Sequence, residues 1–372
     1  MSKPIRVLHY LTEGIDCGGI ESFLINVYRN IDINEIQFDF MAYCPKKNMY
    51  EEEIIERGGR IYKLRTPIKN IYNHLKEVDK ILKEHREYKI IHIHTDYAIS
   101  YFVAKIAKKY GINVIIHSHQ TKVMNKKFLI HKLLKRMQSN VADVKLACSM
   151  AAAEWMFTRK DNKNGNVKII NNAIDVEKFI YNEQTRNKIR NELGIQDKFV
   201  IGHVGRLTAQ KNQKFLIEIY NEIYKRNKES VLLIIGNGRL EQKLKEQVKK
   251  LHIENNVIFL SNINNVNEYY QAMDVFVLPS LYEGLGIVNI EAQTSGLKTI
   301  VSDVVPKEAN IINKNFITIP LKENAKYWAT EILKCNNNYK REDMSKIVTE
   351  KGYNIKQQAN KLMNLYKEYL RE

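Results

Sequence analysis

Residues 280–296 read SLYEGLGIVNIEAQTSG and set two glutamates, Glu283 and Glu291, around a Gly-Leu-Gly turn. Glycines 284 and 286 free backbone N–H groups at a helix start to face a ligand, where the helix dipole favours negative charge. An ionised carboxylate only accepts hydrogen bonds, so Glu283 and Glu291 suit a ligand that carries hydroxyls. Read blandly, one is a helix N-terminal acid and the other a solvated helical residue. The neighbours IVNI and AQTSG predict a largely buried helix instead, where an idle glutamate is costly, and this favours a function for Glu291.

Three further stretches carry chemistry. In GHVGRLTAQKN, residues 202–212, Arg206 and Lys211 follow an apolar run and precede a helix opening near Asn212. Two cations there can neutralise a diphosphate without a metal, the arginine through its planar fork; taken alone, they read first as two ordinary surface cations, and Gly205 directly before Arg206 shifts the balance toward function. In TEGIDCGGIESFL, residues 12–24, Gly14, Gly18 and Gly19 separate a strand from a helix starting near Ile20 or Glu21. This is an anion-binding turn or a plain tight one. IIHIHTD and VIIHSHQT place His92, His94, His117 and His119 at the ends of two strands, with His117 and His119 on one face. No acidic cluster completes a metal-ligand set, so the expectation is a polar cleft rim and no metal.

The elements that must position these residues alternate. Strand-like runs IRVLHYL, FDFMAY, RIYKL, IIHIH, NVIIHSH, VKLACS and VKIIN fill the first half, and FVIGHVGRL, SVLLIIGNG, NVIFLS, VFVLPS, KTIVSD and FITIP the second. Helical stretches such as ESFLINVYRNI and NQKFLIEIYNEIYKRN lie between them. Continuous apolar strands alternating with helices predict parallel sheets covered on both faces. The pattern weakens from NNAID, residues 171–175, to Phe199, and this polar stretch reads as a linker. We expect an α/β protein with a first domain over 1–172 and a second over 173–354, the last helix, 355–372, packing back on the first. Ligands would sit at the carboxyl ends of the strands, in the cleft between the halves.

Composition bounds the rest. The chain has 372 residues, enough for two cores, with 44% hydrophobic and 27% charged residues. It has no apolar run of about 18 residues and no secretory signal pattern. Cys17, Cys44, Cys148 and Cys335 are scattered, which excludes a structural zinc motif and predicts a reduced, cytoplasmic compartment. The formal net charge of +17 suits anionic partners. No acidic residue occurs between Asp96 and Asp143, a stretch that includes Lys126, Lys127, Lys132, Lys135 and Arg136 around the aliphatic run FLIHKLL. It reads either as a solvated lysine-rich surface or as a dock on the inner face of the plasma membrane.

Together these stretches resemble glycosyltransferase family 4, of the GT-B fold, in which two Rossmann-like domains face each other. The resemblance covers nearly the whole chain. It rests on Glu-(seven residues)-Glu at Glu283 and Glu291, on GRLTAQKN, and on ACSMAAAEWMF and IINNAID, which are similar to capsule and exopolysaccharide transferases; Ala173 stands where many members carry glycine. The resemblance implies roles. Arg206 and Lys211 would hold the donor diphosphate, Glu291 the nucleotide ribose and Glu283 the donor sugar. Gly284, Leu285, Gly286 and Ile287 would supply amides to sugar or phosphate, with Gly18 and Gly19 as the first domain's loop. His119 would face the reacting sugar, His117 being the alternative. It further implies a retaining hexosyltransferase that needs no cofactor and no metal, uses a nucleotide sugar, UDP-linked by default, and acts on a glycan or polyprenyl-diphosphate-linked acceptor.

Other classes fit less well. A sugar-nucleotide epimerase of the same fold would need further acid/base carboxylates. A nucleic-acid-binding protein would interleave stacking aromatics with its cations, whereas NKKFLIHKLLKRM has one Phe. A nicotinamide-dependent oxidoreductase would want G-x-G-x-x-G, and EGIDCGGIES does not supply it.

Overall fold

A computed structural model describes residues 4–11, 15, 19–43, 50–65, 70–95, 100–119, 127–336 and 339–371, without the side chains of 127–130, 133 and 371. The chain divides into two compact units, 1–173 with 355–372, and 174–354.

In the first unit, strands β1 (Ile5–Leu11), β2 (Ile36–Tyr43), β3 (Ile61–Leu64), β4 (Ile90–Thr95), β5 (Asn113–Ser118), β6 (Val144–Ala147) and β7 (Val167–Ile169) form one sheet. Its order is β3-β2-β1-β4-β5-β6-β7, and every pair is parallel. Such strands are apolar on both sides because helices cover both faces. Val7 and Phe38 pack on one face, and Leu8 and Met41 on the other. The C-terminal helix Ile355–Arg371 belongs to this unit. Ile355, Ala359, Leu362, Met363 and Tyr366 recur at helical spacing and join the core of Val7 and Phe38.

In the second unit, β8 (Phe199–Val204), β9 (Ser230–Ile235), β10 (Val257–Leu260), β11 (Val275–Leu278), β12 (Lys298–Ser302) and β13 (Phe316–Ile319) form a parallel sheet ordered β10-β9-β8-β11-β12-β13. Leu232 and Ile234 of β9 face one core, and Leu233 and Ile235 the other. Each such fully buried aliphatic side chain contributes about 1.5–3 kcal/mol. The order reverses direction at β8, which pairs with β9 on one side and β11 on the other, so the turns leaving β8 and β11 meet at the carboxyl edge.

The polar stretch expected to be a linker is folded. It holds a short helix, Val176–Phe179, and a longer one, Glu183–Leu193, capped by the Asn182 side chain and closed by Gly194 at φ 66°. Its second attachment is ionic: Arg186 and Arg190 each reach one oxygen of Asp274 at 2.6 Å. A helix held largely by charge shows little apolar periodicity, which is why the pattern fades there.

Candidate functional site

The apolar run Val275–Leu278 is buried throughout, and the chain leaves it through Pro279 and Ser280 to the glutamate turn. Gly286 caps the helix Ile287–Thr294 with φ 70°, a conformation that L side chains rarely adopt. A Cβ there would also stand 2.7 Å from Asn289 Nδ2 and 3.4 Å from Glu283 Oε2. Glu283 folds inward, its side chain 4% exposed. Its Oε1 accepts from Ser280 Oγ at 2.7 Å and pairs with Lys211 Nζ at 2.6 Å, across 72 residues of sequence.

Lys211 reaches Glu283 because the two turns are tied together. Leu281 N donates to Gln210 O, Gln210 Nε2 to Tyr282 O, and Asn212 Nδ2 to Pro279 O, at 2.8–3.0 Å. The Lys211 stem lies over Gly205, where a Cβ would be 3.3 Å from its Cε. Below, His203 Nδ1 donates to Val277 O, its Nε2 contacts Gln213 Nε2, and Gln213 Nε2 donates to Arg206 O. Arg206 projects outward, exposed and without an ion pair among the described residues.

Glu291 is half-buried and accepts from Tyr270 Oη at 2.8 Å. Burial pushes its carboxyl up to about 7, against the opposing pull of the tyrosine hydrogen bond and the Lys211 charge. Arg206, Lys211, Glu283 and Glu291, with the turn residues Gly284, Leu285, Gly286 and Ile287, thus share one carboxyl edge of one sheet. The arrangement offers cations and helix-start amides to an anion, and a carboxylate to hydroxyls.

In the first unit, Gly19 opens the helix Gly19–Arg29, with no atom of the described residues within 4 Å of where a Cβ would stand. Gly14, Gly18 and Lys126 lie outside the described residues, as does the side chain of Lys127. The histidines do not form a polar rim. His92, His94 and His117 are at most 1% exposed and His119 is 6% exposed, because β4 and β5 sit mid-sheet with both faces covered. With His9 they make two overlapping trios, His9–His92–His94 and His94–His117–His119, whose ring nitrogens lie within 4.8 Å of one another. On the helix Lys127–Val141, Lys132 and Arg136 are exposed. Lys135 is half-buried and donates to Glu154 O at 2.5 Å, and burial draws its ammonium below the usual lysine value. No helix among the described residues is long and apolar enough to cross a membrane.

Residues 17–178 match the family described as Glycosyltransferase Family 4, and residues 185–354 that described as Glycosyl transferases group 1. The relative named Putative glycosyltransferase EpsF, of Bacillus subtilis, is 31% identical over 374 residues, covering 98% of this chain and 97% of its own. The chain is a family 4 glycosyltransferase. This glycosyltransferase is also similar, at 27% identity over 356 residues and 89% of each chain, to the UDP-Gal:alpha-D-GlcNAc-diphosphoundecaprenol alpha-1,3-galactosyltransferase of Escherichia coli. Among solved structures it superposes on HepE of Anabaena, in complex with UDP and glucose, with a TM-score of 0.73 at 17% identity, over 97% of this chain and 95% of that one. That likeness is one of fold, GT-B, and the two parallel α/β sheets agree with it.

Several residues that build the candidate site were not among those expected from the sequence. Tyr270 holds Glu291, and Ser280 holds Glu283. Gly236 and Gly238 seat the Arg206 turn: a Cβ on Gly236 would stand 2.2 Å from Gly205 O, and one on Gly238 2.4 Å from Leu207 O. For the glycines a signal existed, since GNG directly follows the apolar run of β9. For the tyrosine and the serine none did.

Proposed function

We propose that the chain is a retaining glycosyltransferase that moves a sugar from a nucleotide sugar, UDP-linked by default, to a lipid-linked glycan acceptor in the assembly of a capsule or exopolysaccharide. The observation that carries the reading is the Lys211–Glu283 pair at 2.6 Å, on the sheet edge that also holds Arg206 and Glu291. Cations for a diphosphate and carboxylates for hydroxyls then converge from two turns. The name of the Escherichia coli relative, with its UDP-sugar and diphosphoundecaprenol, and the UDP and glucose bound by Anabaena HepE support the donor and acceptor classes. The motifs ACSMAAAEWMF and IINNAID support the polysaccharide role.

In this reading Arg206 and Lys211 hold the diphosphate, and Glu291 accepts from the ribose hydroxyls. Glu283 accepts from the donor sugar, and the amides of Gly284–Ile287 meet sugar or phosphate. Gly18, Gly19 and His119 serve the donor from the first unit. The bond from anomeric carbon to β-phosphate oxygen breaks, and the acceptor oxygen bonds to that carbon from the same face. The acceptor's proton leaves with the departing phosphate. Arg206, Lys211 and the helix dipole stabilise the charge that develops on the leaving group, so transfer proceeds without a divalent metal. Lys132 and Arg136, exposed on the helix Lys127–Val141, attach the protein peripherally to anionic lipid.

The test is release of nucleoside diphosphate from a panel of nucleotide sugars, with and without a polyprenyl-diphosphate-linked acceptor, followed by anomeric analysis of the product. Release that depends on acceptor, with configuration retained, is expected. No release from any nucleotide sugar overturns the donor class, and an inverted product overturns the retaining mechanism.

A further inference from the structure

Beneath the carboxyl edge of the first sheet, three buried histidines are joined end to end. His9 Nδ1 lies 3.0 Å from His94 Nε2, His94 Nδ1 lies 2.9 Å from His119 Nε2, and His119 Nδ1 lies 3.2 Å from Asn172 Oδ1. They come from β1, β4 and the end of β5, which are neighbours in the sheet. A neutral imidazole has one N–H donor and one lone-pair acceptor, so fixing the proton on one ring fixes it on all three.

Two directions are possible, and the far end of the chain decides between them. His9 Nε2 is buried with no hydrogen-bond partner among the described residues, among the rings of Phe38 and Phe40. If the relay ran from Asn172 inwards, each ring would carry its proton on Nε2 and an N–H would be orphaned among those aromatics. If it runs outwards, only an acceptor lone pair is orphaned. Unmet buried acceptors are tolerated more often than unmet N–H groups. The outward direction also lets Asn172 accept through its carbonyl oxygen.

We infer that His9, His94 and His119 form a one-way relay in which every ring donates through Nδ1, and that His94 is a positioning residue that makes His119 a hydrogen-bond donor rather than a base. His94 covers the only lone pair of His119, and Asn172 Oδ1 occupies the place of the oxygen that His119 Nδ1–H would otherwise meet. The group that replaces it is an oxygen acceptor, a hydroxyl or phosphate oxygen of the donor; this last step rests on the proposed placement of His119 beside the donor sugar. Burial supports the neutral state, drawing His9 down to about 3 and His119 to about 4, and His94 well below the usual histidine value. His117 lies tilted against His119, 4.0 Å between ring centroids with the planes at 37°, and does not join the relay.

Heteronuclear NMR of the full chain, labelled with ¹⁵N-histidine and assigned by the resonance lost in His119→Gln, reads the tautomer directly. At neutral pH His119 is expected as the Nδ1–H form. An Nε2–H form, or an imidazolium, overturns the relay. Two variants then test positioning. In His94→Asn the carboxamide nitrogen can stand where Nδ1 stood and still donate; in His94→Leu nothing can. The expected result is a fall in kcat of about tenfold for His94→Leu, the loss of one hydrogen bond, with most of it restored in His94→Asn and nucleotide affinity unchanged in both. Equal losses in the two variants, or none in either, overturn the positioning role. An Nδ1–H tautomer combined with unchanged kcat in His119→Ala leaves the relay standing and removes His119 from the donor site.

Discussion

Lys211 and Glu283 are the most directly testable pair in the second unit. Their side chains are 14% and 4% exposed and they meet at 2.6 Å, with Ser280 as the other partner of the carboxylate. Replacing Lys211 by Met removes the cation paired with a buried carboxylate and leaves it, among the described residues, the Ser280 hydroxyl. Breaking a buried pair costs about 3–5 kcal/mol; because Lys211 is partly open to water, about 3 kcal/mol is expected here. Glu283→Gln leaves a lysine that can turn outward, and should cost about 1 kcal/mol. The double variant Lys211→Met/Glu283→Gln buries no charge and should be more stable than Lys211→Met alone, with a coupling of about 3 kcal/mol. The two tryptophans make the assay specific, since Trp155 lies in the first unit and Trp328, fully buried, in the second. In a Trp155→Phe background, urea unfolding followed by fluorescence reports the second unit. A loss below about 1 kcal/mol in Lys211→Met, the range of exposed pairs, would refute the claim that this pair is desolvated. The same pair has a binding consequence. Glu283→Gln frees Lys211, so nucleoside diphosphate should bind more tightly while sugar transfer falls.

Other outcomes follow from the same geometry. Because burial raises the Glu291 carboxyl from 4.5 to about 7, the folded chain holds an extra proton between those values, and stability should fall as pH rises through that window. Over pH 6–8 the affinity for a nucleotide sugar, whose diphosphate does not titrate there, should rise as the carboxylate forms. Both slopes should vanish in Glu291→Gln, checked by unfolding and calorimetry across pH; slopes unchanged in that variant would assign them elsewhere. Transfer should survive EDTA; activity abolished by chelation and restored by Mg²⁺ or Mn²⁺ would contradict the metal-free scheme. Lys132→Glu/Arg136→Glu should weaken co-sedimentation with anionic vesicles about thirtyfold or more at low salt, each lost cation contributing about 1 kcal/mol, and equal binding of variant and wild type would remove this helix as the dock.

What could be read before the fold was known followed local physics. The apolar run VFVLPS, the glycines after it and the spacing of Glu283 and Glu291 are all set within one strand, turn and helix, so they were legible together. Arg206 and Lys211 were legible as cations after a strand, but not their partner. That Lys211 would meet Glu283 depends on β8 lying beside β11, a property of sheet order. Tyr270 is the same case: a tyrosine in an amphipathic helix carries no sign that its hydroxyl will reach a glutamate 21 residues on. The histidines misled because polar side chains at strand ends usually mark a rim. Here His94 is met by His9, 85 residues earlier, and His92 by Tyr366, 274 residues later, so the partners that accompany burial are remote in sequence. The helix Glu183–Leu193 was illegible because its anchors are arginines paired to Asp274 rather than an apolar stripe.

The central claim is that the paired turns of the second unit bind the donor nucleotide, and calorimetric titration of UDP into wild type, Arg206→Ala and Glu291→Ala tests it most directly. The account predicts binding to wild type, a loss of about 1.5–3 kcal/mol in Arg206→Ala from one missing charge-assisted hydrogen bond, and a comparable loss in Glu291→Ala. Unchanged affinity in both variants would contradict it.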